Sequence, residues 1–457
     1  MTQKALYKEV IQRITPKKAE LAAEKALVEE IRKKVSEIEG KHSHLEWCGS
    51  SARGTHLRGD RDLDLFVMFN KELGEKELEE EGLRIGKKIF KGHKWELAYS
   101  QHPYIRGVIK GFDVEIVPSY IVASGAEKKS AVDRTPFHNK YLLKHLSENQ
   151  KSDARMLKQF LKGIDAYGAD LKNCALPGYG VELLVHKYKN FDEAIKAISE
   201  MKEGNIITFG TDPENAKKLF FNECAPALVI IDPVDDSRNV ASALSHEQLA
   251  RMKKAAQLFI KNPSEKFFFG MKVKLWTKKK VILELAKKEF IAIEADFPKK
   301  ILPDLVWGQL RRYLKKASNE LEENDFCTKK MSLWSDENKV FFMYELDKLH
   351  LQKTKKVIGP PAADKENVKR FLEKKRNLVS GPSEENGKIV IVVEREKTSA
   401  KAVLEDYIKT CKLDEKEAIK ICLRKAKVLT EKNILLHYKG RFAEHITKYL
   451  SGKEFFE

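Results

Sequence analysis

The chain has 457 residues, too many for one ordinary core, and its 86 Lys and Arg against 68 Asp and Glu give a formal charge of +18. That surplus favours a polyanionic partner. Because the apolar runs fall far short of the roughly 20 residues that span a bilayer, we expect a nucleic acid and no membrane. The N-terminus has no apolar signal core and the six cysteines form no C-x-x-C pair, which argues against a zinc cluster and favours a reducing cytoplasm.

The N-terminal part begins with a helix and continues as a mixed α/β unit. Thr15 and Pro16 form a helix start, and apolar residues follow at helical spacing from Leu21 to Ile38. A charged helix is predicted near 73–92. Strands are predicted for the short apolar segments at 44–48, 62–69, 95–101 and 112–117. We assign residues 1–137 to this first domain.

The pattern changes after residue 137. Residues 138–257 form a second domain that is mainly helical, with helices predicted at 149–164, 178–188, 191–204 and 246–261. In residues 258–457, helices at 303–322 and 364–376 separate strand-like segments at 288–295, 326–334, 338–345 and 388–395. This order predicts an RNA-binding, RRM-like α/β region with an inserted tail subdomain. The Gly359-Pro360-Pro361 run and the loop from Gly381 to Gly387 are expected as turns inside it.

Two neighbouring segments of the first domain carry the candidate chemistry. Gly49-Ser50 follows a strand and opens a short helical segment, whose free backbone N–H groups and small hydroxyl suit a phosphate. Asp62 and Asp64 lie two apart in a strand, so both carboxylates leave the same face. Such a pair beside a phosphate loop suits two Mg²⁺ ions on either side of a transferring phosphoryl group. D-x-D alone is common at exposed strand ends, and the nearby loop favours the functional interpretation.

A third carboxylate should come from a neighbouring strand. The segment from Gly111 to Pro118 offers Asp113 and Glu115, again on one face. Alternation along the strand does not choose between them.

Several motifs together carry a family resemblance. They are Gly49-Ser50-x-x-Arg53-x-Thr55 with the two aspartates, His102-Pro103-Tyr104, Ala131 to His138, Leu157 to Lys162, Tyr167-Gly168-Ala169, and Asp232 to Ala241. They resemble the class I, archaeal-type tRNA CCA-adding enzymes of the nucleotidyltransferase superfamily, most densely over residues 45–260. The resemblance implies an α/β multidomain fold with a polymerase-β-like head. It also implies template-independent addition of C, C and A to the 3′ end of tRNA by a two-metal mechanism that uses Mg²⁺ and releases pyrophosphate.

The resemblance also implies roles for individual residues. Ser50 and Arg53 match positions that hold the triphosphate of ATP or CTP, and Arg238 matches the side chain that reads the base. His138, Lys158 and Tyr167 match further nucleotide-binding positions. The family's third metal carboxylate falls on Glu115, where the family usually has Asp, so direct binding by Glu115 and participation of Asp113 both stay open. Taken singly, Lys158 suits a solvated lysine, Tyr167 suits a helix end, and Arg238 could merely pair with Asp235 or Asp236.

The basic residues concentrate in segment 251–280, which holds ten Lys or Arg and one acid. Lys272, Lys274 and Lys278 are predicted to contact RNA, whereas the interleaved Phe259, Phe267 and Phe268 are better explained as core. The expected partners are tRNA, ATP and CTP, and a homodimer is allowed. The alternatives are a poly(A)-type or other terminal RNA nucleotidyltransferase, and a non-catalytic tRNA-binding protein of the same fold.

Overall fold

The computed structural model describes residues 2–39, 43–99, 101–168, 170–221, 225–270, 274–298, 301, 303–374, 377–411 and 418–457. Of the residues singled out above, Ala169 and Lys272 lie outside these ranges. The chain divides into two compact units, Met1–Met271 with Phe455–Glu457, and Lys272–Glu454. The boundaries placed after residues 137 and 257 stay predictions.

The first unit combines a mixed sheet with a helical region. Its helices are α1 (Gln3–Ile14), α2 (Lys18–Glu39), α3 (Gly49–Arg53), α4 (Glu75–Ile89), α5 (Thr135–His145), α6 (Glu148–Gly163), α7 (Gly178–Tyr188), α8 (Phe191–Glu200), α9 (Pro213–Phe220), α10 (His246–Lys261) and α11 (Lys266–Phe269). Its strands are β1 (His44–Cys48), β2 (Asp62–Asn70), β3 (Trp95–Tyr99), β4 (Pro103–Ile109), β5 (Phe112–Ile121), β6 (Asn205–Ile207), β7 (Leu228–Asp232) and β8 (Asp235–Asn239).

The five-stranded sheet has the order β1-β2-β5-β4-β3, in which β2 and β5 run parallel. Its apolar face packs on α2 and α4 through side chains such as Leu63, Leu65, Val28 and Ile85. Alternation therefore turns the aspartates of β2 to the opposite face. The strands predicted here are confirmed, but β4 was missed. Pro103 and Gly107, both unfavourable in strands, hid it from the sequence pattern.

The helical region of the first unit is built on an aromatic core. Phe160 packs against Phe191, Phe259 and Phe268, with ring centroids 5.4–6.2 Å apart. The predicted core role of Phe259, Phe267 and Phe268 is therefore confirmed, since all three are buried. The four helices predicted between residues 149 and 261 are also confirmed as α6, α7, α8 and α10. Beside them, β7 and β8 form an antiparallel hairpin.

The second unit contains two antiparallel sheets. Its helices are α12 (Lys278–Leu285), α13 (Pro303–Glu323), α14 (Lys365–Glu373), α15 (Ala400–Thr410), α16 (Ala418–Leu423), α17 (Glu431–Ile434) and α18 (Gly440–Ser451). Its strands are β9 (Glu289–Asp296), β10 (Thr328–Ser335), β11 (Lys339–Leu346), β12 (Thr354–Pro361), β13 (Leu378–Glu385), β14 (Lys388–Glu394) and β15 (Lys427–Thr430).

The larger sheet has the order β10-β11-β9-β15 and is covered on both faces. Helices α13, α15 and α16 pack on one face, and α12, α17 and α18 pack on the other. The smaller sheet, β12-β14-β13, is inserted between β11 and α15. In the described part of the chain, no helix is both long and apolar enough to cross a membrane.

The turn expected at Gly359-Pro360-Pro361 was wrong, and the loop expected from Gly381 to Gly387 was right only at its end, where residues 386–387 form the turn between β13 and β14. The first run lies at the end of β12, and Gly381 lies inside β13. Both are edge strands of the smaller sheet, and their pairing with β14 is interrupted by register shifts at these residues. Edge strands and bulges are where proline and glycine are tolerated, because no ladder hydrogen bond is lost there.

Candidate active site

Four carboxylates project from one face of the sheet, at the start of β2 and β5. The parallel register pairs Asp62 with Asp113 and Asp64 with Glu115. Asp62 and Asp113 are exposed, whereas Asp64 and Glu115 are half-buried. The hydroxyl of Tyr104 on β4 donates to Glu115 Oε1 at 3.3 Å. A cleft of about 520 Å³ is lined in part by Asp62, Asp113 and Glu115.

These carboxylates oppose one another's ionisation. Burial raises the pKa of Asp64 to about 7, and the neighbouring Glu115 and Asp62 add to the effect. The pKa of Asp62 is raised by partial burial of its carboxylate and by the charges of Asp60 and Asp113. Burial also raises the pKa of Glu115, against the hydrogen bond from Tyr104 and the charge of Arg106. Oxygen donors with crowded negative charge are what a hard divalent cation binds best, so this donor set fits such an ion.

The phosphate-type loop predicted at Gly49-Ser50 lies directly against these carboxylates. Gly49 has φ +77°, and a Cβ atom at this position would lie 1.8 Å from Asp64 Oδ2. Only glycine allows this approach, because any side chain would collide with the carboxylate. Ser50 follows as the second residue of α3 and is half-buried. The loop and the metal-type ligands are thus adjacent in space.

A buried ion-pair network holds Arg53 and Lys158. Arg53 Nη2 lies 2.8 Å from Glu182 Oε2, and Lys158 Nζ lies 2.7 Å from Glu182 Oε1. Lys158 Nζ also donates to the carbonyl and hydroxyl oxygens of Thr55, both at 3.2 Å, and the Thr55 hydroxyl donates to Glu182. Arg53, Lys158 and Glu182 are all buried. The network joins α3 to α6 and α7.

Glu182 is the centre of this network. Burial works to raise the pKa of Glu182, but the charges of Arg53 and Lys158 and the hydrogen bonds from Lys158 and Thr55 outweigh it and hold the pKa at about 2. The pKa of Lys158 is lowered by burial, with Glu182 opposing the shift. Glu182 is therefore the ionised partner of two buried cations.

A second buried carboxylate, Asp232, organises the other predicted residues. His138 Nε2 lies 2.7 Å from Asp232 Oδ2, and Arg238 Nη1 donates to the same oxygen at 2.8 Å. The Tyr179 hydroxyl donates to Asp232 Oδ1 at 3.1 Å. Burial and the charge of Arg238 lower the pKa of His138, against the hydrogen bond to Asp232. Arg238 thus pairs with Asp232, and not with the Asp235 or Asp236 considered from sequence.

The remaining predicted residues lie in different places. Tyr167 is half-buried, and its pKa is raised by burial and by the charges of Glu182, Asp60 and Asp62. Its hydroxyl therefore experiences both the buried carboxylate Glu182 and the acids near the start of β2. Lys274 and Lys278 belong to the second unit and are exposed. Arg238 lines a cleft of about 470 Å³ together with Arg134, Ser237 and Asn239.

Sequence reasoning missed Glu182 and Asp232. An acid inside the apolar segment of α7 and an acid that ends the apolar strand β7 were the available signals. Buried acids are rarely found without a partner. The sequence could therefore have predicted that each acid pairs with a buried cation or hydrogen-bond donor, but not which residue that is.

Three domain families match successive parts of the chain. Residues 28–138 match the nucleotidyltransferase domain, residues 152–269 the second domain of tRNA nucleotidyltransferase, and residues 288–429 the C-terminal domain of CCA-adding enzyme. The carboxylate-bearing sheet falls in the first of these. The chain is therefore of the nucleotidyltransferase class.

Curated relatives narrow this class. The chain is 34% identical over 413 residues to a CCA-adding enzyme of Methanosarcina mazei, covering 88% of this chain and 89% of the relative. It is 33% identical over 403 residues to one of Saccharolobus shibatae, covering 88% and 92%. A relative from Methanocaldococcus jannaschii is 34% identical over 388 residues, covering 82% and 84%. The chain belongs to the family of CCA-adding enzymes, as its motifs predicted.

Glu182→Gln should destabilise the protein strongly, because it leaves Arg53 and Lys158 buried without a counter-charge. We expect a loss of about 3–5 kcal/mol in the free energy of unfolding, measured by urea denaturation. Glu200→Gln, an exposed acid on the next helix, is the control and should change little.

The same variant tests the depressed pKa. The folded pKa of Glu182, about 2, lies below its ordinary value of 4.5. Its stabilising effect is therefore complete above pH 4.5 and is lost as the pH falls towards 2. The difference in stability between wild type and Glu182→Gln should shrink over that range. A constant difference would show that the ionised carboxylate is not what stabilises the network.

Proposed function

We propose that this protein adds C, C and A to the 3′ end of tRNA without a nucleic-acid template, using CTP and ATP and releasing pyrophosphate. The observation that carries the proposal is the alignment of Asp62, Asp64 and Glu115 on one sheet face against Gly49 of the phosphate-type loop. Membership of the CCA-adding family supports this reaction over an indefinite poly(A)-type tail and over a non-catalytic tRNA-binding role.

We propose Mg²⁺ as the cofactor, held by Asp62, Asp64 and Glu115, with Asp113 as a further candidate. Bound Mg²⁺ would make the terminal 3′-hydroxyl a better nucleophile and neutralise charge on the leaving pyrophosphate. The raised pKa values of Asp62, Asp64 and Glu115 support this assignment, because a cation would offset both the burial and the repulsion between carboxylates that raise them.

The chain's own residues would position the nucleotide. Ser50 and Arg53, the second and last residues of α3, are proposed to bind the triphosphate, and Lys158 and Tyr167 to act around the phosphates and sugar. The buried network supports a contribution by Lys158 through placement, since its Nζ donates to Glu182 and Thr55 and so fixes the segment that follows Arg53. His138 would act beside Tyr179, whose ring centroid lies 4.2 Å from its own.

Arg238 is proposed to read the base. Its guanidinium donates hydrogen bonds and accepts none, which suits cytosine O2 or N3 and adenine N1. Uracil N3 and guanine N1 carry protons and would oppose a donor. Arg238 Nη1 donates to Asp232, and the side chain is 31% exposed and lines the 470 Å³ cleft, which supports a role for its other donors in binding a base.

The second unit is proposed to be an RRM-like RNA-binding region with an inserted tail subdomain. Its strand and helix order, β9-α13-β10-β11-α15-β15 with β9 and β11 central, supports this proposal. Lys274 and Lys278 are exposed and are proposed, with Lys272, to contact the tRNA backbone. A cytoplasmic location is proposed as well, and the homodimer stays a prediction.

The central test is incubation of tRNA lacking its CCA end with each NTP and Mg²⁺, followed by sequencing of the products. Addition of C, C and A from CTP and ATP supports the proposal. An indefinite tail or no extension would contradict it.

Asp62→Ala and Asp64→Ala should each abolish addition, by more than about 100-fold, since even indirect metal-ligand partners contribute about 10- to 100-fold. Binding of tRNA should stay close to wild type, because docking the RNA backbone needs cationic side chains rather than these acids. Turnover and filter binding measure the two effects. Substantial activity in both variants would refute the assignment of metal ligands.

Glu115→Ala should cost far more activity than Asp113→Ala. Glu115 is half-buried, pairs in register with Asp64 and is oriented by Tyr104, whereas Asp113 is exposed. Turnover of both variants under saturating Mg²⁺ decides between them. The opposite order would make Asp113 the third ligand.

Arg238→Ala should lower incorporation of CTP and ATP and narrow their advantage over UTP by about tenfold to a hundredfold, the cost of about 1–3 kcal/mol for a buried mismatched donor. Competition assays with all four NTPs measure the ratio. A melting curve controls for the loss of the Asp232 pair. A stable variant with an unchanged ratio of CTP to UTP incorporation would show that Arg238 does not read the base.

A further inference from the structure

His102 is a buried histidine that the proposed reaction does not use. It lies in the turn before β4, and its side chain is 5% exposed. Among the residues that the structure describes, neither Nδ1 nor Nε2 has a hydrogen-bond partner. A neutral imidazole carries one N–H donor and one acceptor nitrogen, and buried polar groups of native proteins almost always have a partner, which can be a bound ion. The side chain therefore needs an explanation that packing does not supply.

Two carboxylates face this imidazole from the first two turns of α4. Glu75 and Glu79 are four residues apart and so share one face of the helix. His102 Nδ1 lies 3.7 Å from Glu75 Oε1 and 3.5 Å from Glu79 Oε1. Both distances exceed those of ordinary N–H···O hydrogen bonds, which are about 2.7–3.2 Å.

The distances suit three ligands of one ion. Bonds of about 2.0–2.2 Å at tetrahedral angles separate two ligand atoms by about 3.3–3.6 Å. Among the residues that the structure describes, these three side chains form a group of metal-ligating residues whose ligand atoms all lie within 4.8 Å of one another. The half-exposed Glu79 and the exposed Glu75 leave the outer side open, so that water could complete the coordination.

We propose that His102, Glu75 and Glu79 form a second metal site, selective for Zn²⁺ or a similar transition-metal ion. An imidazole ligand favours such ions, whereas Mg²⁺ prefers oxygen ligands in octahedral geometry. The site therefore differs in chemistry from the all-carboxylate set of Asp62, Asp64 and Glu115. A metal ion bound here would link the start of α4 to His102, directly before β4. His102 is two residues before Tyr104, whose hydroxyl donates to Glu115.

The test is zinc binding by the intact protein. Chelator-treated protein is dialysed against micromolar Zn²⁺ in excess Mg²⁺, and bound zinc is measured by atomic emission. Wild type should retain one zinc ion that His102→Ala and Glu79→Gln lose, with affinity at least about tenfold weaker, given what loss of even a ligand's outer partner costs. Glu80→Gln is the matched control, because Glu80 lies on the same helix and pairs with Lys76.

Each outcome decides the proposal. Retention of zinc by Glu80→Gln and its loss in the other two variants supports the site. Zinc uptake that is equal in all the proteins, or none by wild type, overturns it and leaves the three side chains as an ion-paired cluster. Glu79 is half-exposed, so Glu79→Gln should fold even if His102→Ala does not. The dialysis uses neither RNA nor nucleotide, and its failure leaves the proposed reaction untouched.

Discussion

The pairing of Glu182 with Arg53 and Lys158 is the interaction on which the candidate site depends. One buried carboxylate faces two buried basic side chains, so basic groups outnumber acidic ones in this network. Arg53 ends the short helix that begins at Gly49, while Lys158 and Glu182 belong to the helical region. Breaking a buried pair leaves an uncompensated charge and is far more costly than losing a surface pair. The network therefore fixes α3 relative to α6 and α7.

This excess of basic groups lies beside an excess of acidic groups. Arg53 lowers the pKa of Asp64, while burial, Glu115 and Asp62 raise it more strongly. Such a local conflict stabilises nothing in the folded chain by itself, and functional sites are where proteins keep conflicts of this kind. A polyanionic substrate and divalent cations would satisfy both sides at once. The residues whose charges conflict in the folded chain are thus the residues proposed to bind the substrate and the metal ions.

Local patterns predicted a large part of this structure. Strand alternation correctly placed Asp62 and Asp64 on the face opposite Leu63 and Leu65. Alternation acts within one strand, however, so it could not supply the parallel register that pairs Asp64 with Glu115. The strand β4 was missed for a local reason, since Pro103 and Gly107 outweigh its apolar residues. The role of Glu182 was missed because its partners, Arg53 and Lys158, come from helices elsewhere in the chain, which a local pattern does not show.

The ion pair of Arg238 shows that a turn, and not distance along the chain, decides which of several acids becomes the partner of a basic side chain. Asp235 and Asp236 are closer to Arg238 along the chain than Asp232 is, but Asp235 forms ion pairs with Lys128 and Arg134. The hairpin of β7 and β8 folds Asp232 back beside Arg238, six residues away. A guanidinium held at one nitrogen by a fully buried carboxylate has fewer positions open to it, which narrows the directions of its remaining donors before a base binds. Donors whose directions are set before binding discriminate better than mobile ones, because the wrong base cannot reorient them. Asp232 would therefore contribute to base selection without touching the base.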